Sequence, residues 1–202
     1  MTDKELYRAY VKEKHRLPKK NNDIDQSIGK YTSIQQIETE IWTEYATMTL
    51  TQCVEDPSFG EYIAREKMLA YVFVLFQNMN ADEEQIRLQM RSTIKWWTSP
   101  LLKEFKAEFN SFVKTLIDEG QERGEIQKRL YINNSYPVLF WNTLLFIFIF
   151  WSKDTSKHKE QTDVAVEKWI NLLFDTLAPN AVDSAVDLAQ FMIKRKFYGI
   201  TK

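Results

Sequence analysis

Glycine and proline are scarce, at five residues each in 202. So few turns are available, and the chain must be built from a small number of long elements. A single cysteine, Cys53, excludes an intramolecular disulfide. The two histidines, His15 and His158, lie in charged segments away from Cys53 in sequence, so no Cys–His nucleophile pair is indicated. No zinc-ligand spacing and no glycine-rich phosphate loop occurs. Carboxylate pairs such as Glu38/Glu40 and Glu83/Glu84 have the pattern of solvated helix faces. The expectation is a non-enzyme with no catalytic residues, no metal and no cofactor. Net charge is only −1, so any contact with a polyanion must come from a local patch. The first residues, MTDKELYRAYVKEK, carry no apolar core of a signal peptide, and a cytoplasmic protein is expected.

What is abundant is helical punctuation. Ser33 with Gln36 makes a capping box. Asp56 stands before Pro57, Asn80 before an acidic turn, and Ser99 before Pro100, with Gly120 as the stop of the helix that follows. Leu102, Phe105, Phe109, Phe112, Val113 and Leu116 recur at three-and-four spacing. No period-two run bounded by hairpin turns appears. The fold class is therefore all-α, with helices expected over 3–15, 22–29, 33–54, 57–78, 82–97, 100–119, 135–152, 157–177 and 181–196.

One stretch, PVLFWNTLLFIFIFWSKD, looks like membrane. Its apolar run, Val138 to Trp151, is 14 residues long. As a helix that is roughly 21 Å, short of a hydrocarbon core of about 30 Å. No membrane span is expected. A helix apolar on every side belongs in a core or a subunit interface.

Aromatic residues make up 14% of the chain and gather in its middle and later parts. Bulky rings on long helices pack less evenly than aliphatic side chains and can leave an apolar cavity, to which methionine adds adaptability. Met68, Tyr71, Phe76, Met79, Trp96, Trp97, Phe105, Phe109, Phe112 and Trp141 are the expected lining of a pocket for a hydrophobic small-molecule effector. Simple core packing is the alternative for the same residues. Residues 1–32 differ in character, with eight basic against five acidic side chains, a local charge of +3. This is either a phosphate-contacting patch or a solvated face.

A small basic head, a connecting helix and a long-helix body together resemble the tetracycline-repressor-like (TetR) family of transcription regulators. YTSIQQIETEIW, residues 31–42, resembles the family's junction between recognition helix and connecting helix. AREKMLAYVFVLF, PLLKEFKAEFNSFVKTLIDEGQERGEI and LFWNTLLFIFIFWSKDTSKHKEQTDVAVEKWINLLFD resemble its effector domain. The resemblance implies a head over 1–45 and an effector-binding and dimerisation domain over 46–202. It also implies a homodimer in which residues 136–152 and 158–177 pair with the same helices of a second copy. Phe140, Leu144, Ile147, Phe148, Trp151, Trp169, Ile170 and Leu173 then lie within the core or that interface. Operator DNA is the implied partner, with Lys19, Lys20, Lys30, Tyr31, Thr32 and Ser33 on phosphates and Gln26 or Ser27 at base edges. Here the chain departs from the family. Between Pro18 and Tyr31 stand only the 12 residues KKNNDIDQSIGK, whereas a helix-turn-helix takes roughly 20. A TetR-fold protein that has lost DNA binding and holds a lipid or other hydrophobic small molecule is the alternative.

Overall fold

The computed structural model describes residues 34–92, 98–129 and 133–179. The expected helices over 3–15, 22–29 and 181–196, and the Ser33 cap, lie outside the described residues. Six α-helices are described: α1 Ile34–Glu55, α2 Ala64–Met79, α3 Glu83–Ser92, α4 Lys103–Glu122, α5 Tyr136–Lys153 and α6 Glu160–Leu177. Among the described residues there is no strand. The chain is all-α, as its punctuation implies.

Each helix buries one periodic stripe. On α2 the buried positions are Ala64, Lys67, Met68, Tyr71, Val72, Leu75, Phe76 and Met79. On α4 they are Phe105, Phe109, Phe112, Val113, Leu116, Ile117 and Gly120. Spacing of three and four residues puts such side chains on one face, and that face is what packing stabilises. Helix α1 packs on α2 and α4, α5 on α4 and α6, and α6 also on α2. The centre is aromatic. Trp42 of α1 meets Phe105 of α4 and Phe148 of α5 edge to face, with ring centroids 5.7 and 5.9 Å away.

Local chemistry sets the boundaries, and three differ from expectation. Asp56 caps Ser58 N–H as expected, but the turn it opens, Pro57–Gly60, is a short 3-10 helix, and α2 starts only at Ala64. There the Ala64 N–H donates to the Glu125 carboxylate at 2.7 Å, and Glu66 reaches back to the Ile63 N–H. Asn80 ends α2 rather than capping α3, whose first turn begins with Glu83 and Glu84. Gly120 does not stop α4, which runs to Glu122. A Cβ at Gly120 would stand 2.8 Å from Ile126 Cδ1 and 3.2 Å from Ala64 Cβ, so this glycine serves close packing. The turn falls at Gly124, where φ is +74°. Ser99 does cap as expected, accepting from Leu101 N–H.

The segment after α4 ties the bundle's end together. The Gln127 N–H donates to the Leu177 carbonyl, the Tyr136 hydroxyl to the Gln127 carbonyl, and Arg129 to the Ala178 carbonyl. Helix α5 is longer than the apolar run that marks it. With its preceding turn it is long and apolar enough to cross a membrane, yet half of its most apolar window is buried inside the protein. The expected boundary at residue 45 falls inside α1, which runs unbroken through it.

Candidate functional site

Eight of the ten expected pocket residues are described, and all eight are buried: Met68, Tyr71, Phe76 and Met79 on α2, Phe105, Phe109 and Phe112 on α4, and Trp141 on α5. Trp96 and Trp97 lie outside the described residues. Besides Met68 and Met79, the other six are aromatic and belong to two connected groups of packed rings. In the first, Tyr71 stacks on Phe112 at 4.6 Å and touches Phe109, and Trp141 contacts both Phe109 and Phe105. In the second, Phe76 stacks on Trp151 at 5.5 Å and meets Phe148 edge to face. Phe105 joins the two through Trp141 and Phe148. Sequence reasoning missed Trp42 as part of this cluster. Its place on the buried stripe Glu38, Ile41, Trp42, Tyr45, Ala46, Thr49 of α1 is the signal that would have found it.

The aromatic interior is not wholly apolar. The buried Tyr71 hydroxyl, Trp151 indole nitrogen and Asn110 amide oxygen have no hydrogen-bond partner among the described residues. Burial pushes the Tyr71 phenol well above its usual range, and the Cys53 thiol and Glu108 carboxylate push it further. Burial, aided by Asp56, also pushes the Cys53 thiol up to about 11, so at neutral pH it is protonated and weakly nucleophilic.

Two contacts tie α1 to α3 and to the 3-10 turn Asn80–Asp82 that precedes it. The Tyr45 hydroxyl donates to the buried Asp82 carboxylate at 2.6 Å, and the Trp42 indole donates to Gln89 at 3.2 Å. A polar cleft of about 460 Å³ opens beside this junction, lined by Asn80, Glu83, Arg87 and the loop residues Asp154, Ser156, His158 and Lys159. Its charges neutralise one another. Lys159 lies 2.7 Å from Glu83 and donates to the Asp154 carbonyl at 2.6 Å. His158 and Lys159 both have positive φ, at 51° and 61°. This strained turn is held by Asp154, whose carboxylate accepts from Ser156 N–H, Thr162 N–H and the Thr162 hydroxyl. Burial opposes its ionisation, but the hydrogen bonds from Ser156 and Thr162 outweigh that and lower its pKa to about 2.

On α5 and α6 the structure separates core from surface. Phe140, Leu144, Ile147, Phe148, Trp151, Ile170 and Leu173 are buried within the protomer, where Phe148 and Trp151 belong to the aromatic centre. Only Trp169 of the eight is exposed, at 39%. The same two helices present a different apolar set to the outside: Val138, Leu139, Phe146, Phe150, Val164 and Leu172, with exposures of 39–57%. Trp169 lies flat on Phe146, beside an apolar groove of about 390 Å³ that also includes Ile149 and Phe150. The sequence signal for this outer face was α5 itself. A helix apolar all round has more apolar surface than one protomer's core can cover. Lys19, Lys20, Gln26, Ser27, Lys30, Tyr31, Thr32 and Ser33, the expected DNA contacts, lie outside the described residues.

Comparison with known families agrees with this architecture. Residues 67–192 match the family model described as the tetracyclin repressor-like, C-terminal domain. No curated protein and no solved structure matches the chain. The match spans more than half of the sequence, from within α2 past the end of α6, and on it the chain belongs to the tetracycline-repressor-like family.

Proposed function

We propose that this TetR-family regulator is a cytoplasmic, ligand-responsive homodimer that binds operator DNA. In this reading residues 1–45 form the DNA-contacting head and residues 46–202 the effector and dimerisation domain. The observation that carries it is the exposed apolar face on α5 and α6, centred on Phe146, Phe150, Trp169 and Leu172. An apolar surface of this kind on a soluble protein marks an interaction site. An isologous contact with the same face of a second copy satisfies it with a twofold axis. The dimer then presents two basic heads, whose Lys19, Lys20, Lys30, Tyr31, Thr32 and Ser33 meet phosphates while Gln26 or Ser27 reads base edges.

The aromatic interior is the effector site of this reading, and α1 is the link to the heads. A hydrophobic effector acts by binding better to one arrangement of the two heads, and it shifts the dimer only by that differential affinity. The Tyr45–Asp82 and Trp42–Gln89 contacts link α1 to α3 and the turn before it, so in this reading a ligand that displaces α3 redirects the heads.

The short stretch KKNNDIDQSIGK favours a second reading, in which the dimer has lost DNA binding and carries a lipid or other hydrophobic small molecule. Incubating the purified protein with fragments of its own genome, at low and moderate salt, decides between them. Recovery of a palindromic site at moderate salt is the expected result for the regulator. Weak, salt-erased, sequence-blind binding sinks DNA reading and leaves the carrier.

A further inference from the structure

The Tyr71 hydroxyl is buried, lies among stacked rings and has no hydrogen-bond partner among the described residues. Buried polar groups without partners are rare because they are destabilising, so each has to be explained. The ring itself is fully used. It stacks on Phe112 at an interplanar angle of 16° and contacts Phe109. A phenylalanine would make the same ring contacts, so the hydroxyl contributes nothing to packing.

The surroundings of the oxygen restrict what it can bind. The Tyr71 ring packs on Phe109 and Phe112, so it lies between α2 and α4, and, after burial and Cys53, Glu108 of α4 helps to raise its pKa. Glu108 is exposed, which puts the hydroxyl within electrostatic reach of the surface edge of α4. A carboxylate ligand is disfavoured there because it would face Glu108. An ammonium ligand brings only donors and leaves the phenol proton unpaired. The phenol stays protonated at neutral pH, so it offers a donor. The complementary group is a neutral acceptor.

We propose that Tyr71 is the polar anchor of the effector site, donating its O–H to a neutral oxygen acceptor, a ketone, ester or ether, on an otherwise apolar ligand. The assignment rests on the reading of the aromatic interior as that site. It makes the effector class neutral oxygenated hydrocarbons rather than fatty acids or cationic amphiphiles.

A matched pair of probes tests it: hexylbenzene and its ketone, hexanophenone, titrated into the full-length wild type and into Tyr71→Phe. One neutral hydrogen bond corresponds to about a fivefold change in affinity. Wild type is expected to prefer the ketone over the hydrocarbon by about fivefold more than Tyr71→Phe does, with hexylbenzene affinity unchanged and the melting temperature of the variant no lower. Equal ketone preference in the two proteins overturns the anchor while leaving the apolar site standing. A lower melting temperature for Tyr71→Phe, with no change in ketone preference, assigns the hydroxyl to structure, through a buried water, and overturns it too. Failure of both probes to bind wild type overturns the effector reading itself, and the anchor with it.

Discussion

Phe146 and Trp169 lie face to face across α5 and α6, ring centroids 5.4 Å apart and planes within 8°, and both remain open to solvent. Stacked rings on an outer face gain little from their own protomer, which covers one side of each. Their remaining surface belongs to the exposed apolar set that α5 and α6 present to the outside. In the dimer reading this pair is its centre, since central aromatic anchors carry most of the energy of an interface.

Trp169→Glu therefore separates folding from assembly. The side chain is 39% exposed, so the protomer keeps its helices. Losing a central anchor weakens association by about 2 kcal/mol or more, at least about thirtyfold in Kd. The variant is expected to be monomeric by light scattering at micromolar concentration, with an unchanged far-ultraviolet circular dichroism spectrum. A wild type that is itself monomeric under those conditions removes the interface assignment.

Phe105→Ala probes the interior. Phe105 is fully buried and touches Trp42, Trp141 and Phe148. Removing such a ring costs about 3–5 kcal/mol, read as a lower denaturant midpoint. Any effector response should be blunted, while the dimer survives because the outer face of α5 and α6 is untouched. Dissociation instead would place Phe105 in the subunit contact.

Gly120 separates helix propensity from packing. Alanine gains about 1 kcal/mol in a helix interior over glycine. Here its Cβ would push on the movable Ile126 Cδ1 at 2.8 Å and on Ala64 Cβ at 3.2 Å. Gly120→Ala is expected to be near neutral, the two effects offsetting. Gly120→Val, with two more methyl groups against the same wall, should cost about 1–3 kcal/mol in urea unfolding.

Asp154 predicts the acid limb of the stability curve. Its folded pKa is lowered from 3.8 to about 2. Its contribution is therefore present above the ordinary carboxyl range and lost as pH falls toward 2. Asp163 acts in the opposite sense, its pKa being raised by burial and by Asp154, Glu167 and Glu160. Asp154→Asn should lower the urea midpoint at pH 6 and narrow the gap to wild type at pH 3. An equal gap at both pH values would mean that shape, not charge, is what the turn needs.

Several features of the fold were legible in the order of residues. Proline, acids and hydroxyls at Asp56–Pro57 and Ser99–Pro100 mark chain entries because capping is a local interaction, complete within a few residues. The stripe on α4 is likewise periodic in sequence, so its buried face could be named in advance. Gly120 was misread because a glycine that ends a helix and one that admits a neighbour look the same along the chain. Only Ile126 and Ala64, brought close by the fold, distinguish them. For α5, composition established that it is apolar on all sides, but not which side faces its own protomer. That was decided by α1, α2 and α4 closing over Phe148 and α6 over Phe140, while Phe146 and Phe150 were left outside. Periodicity is a property of one helix, whereas the division between core and surface depends on which neighbours cover it.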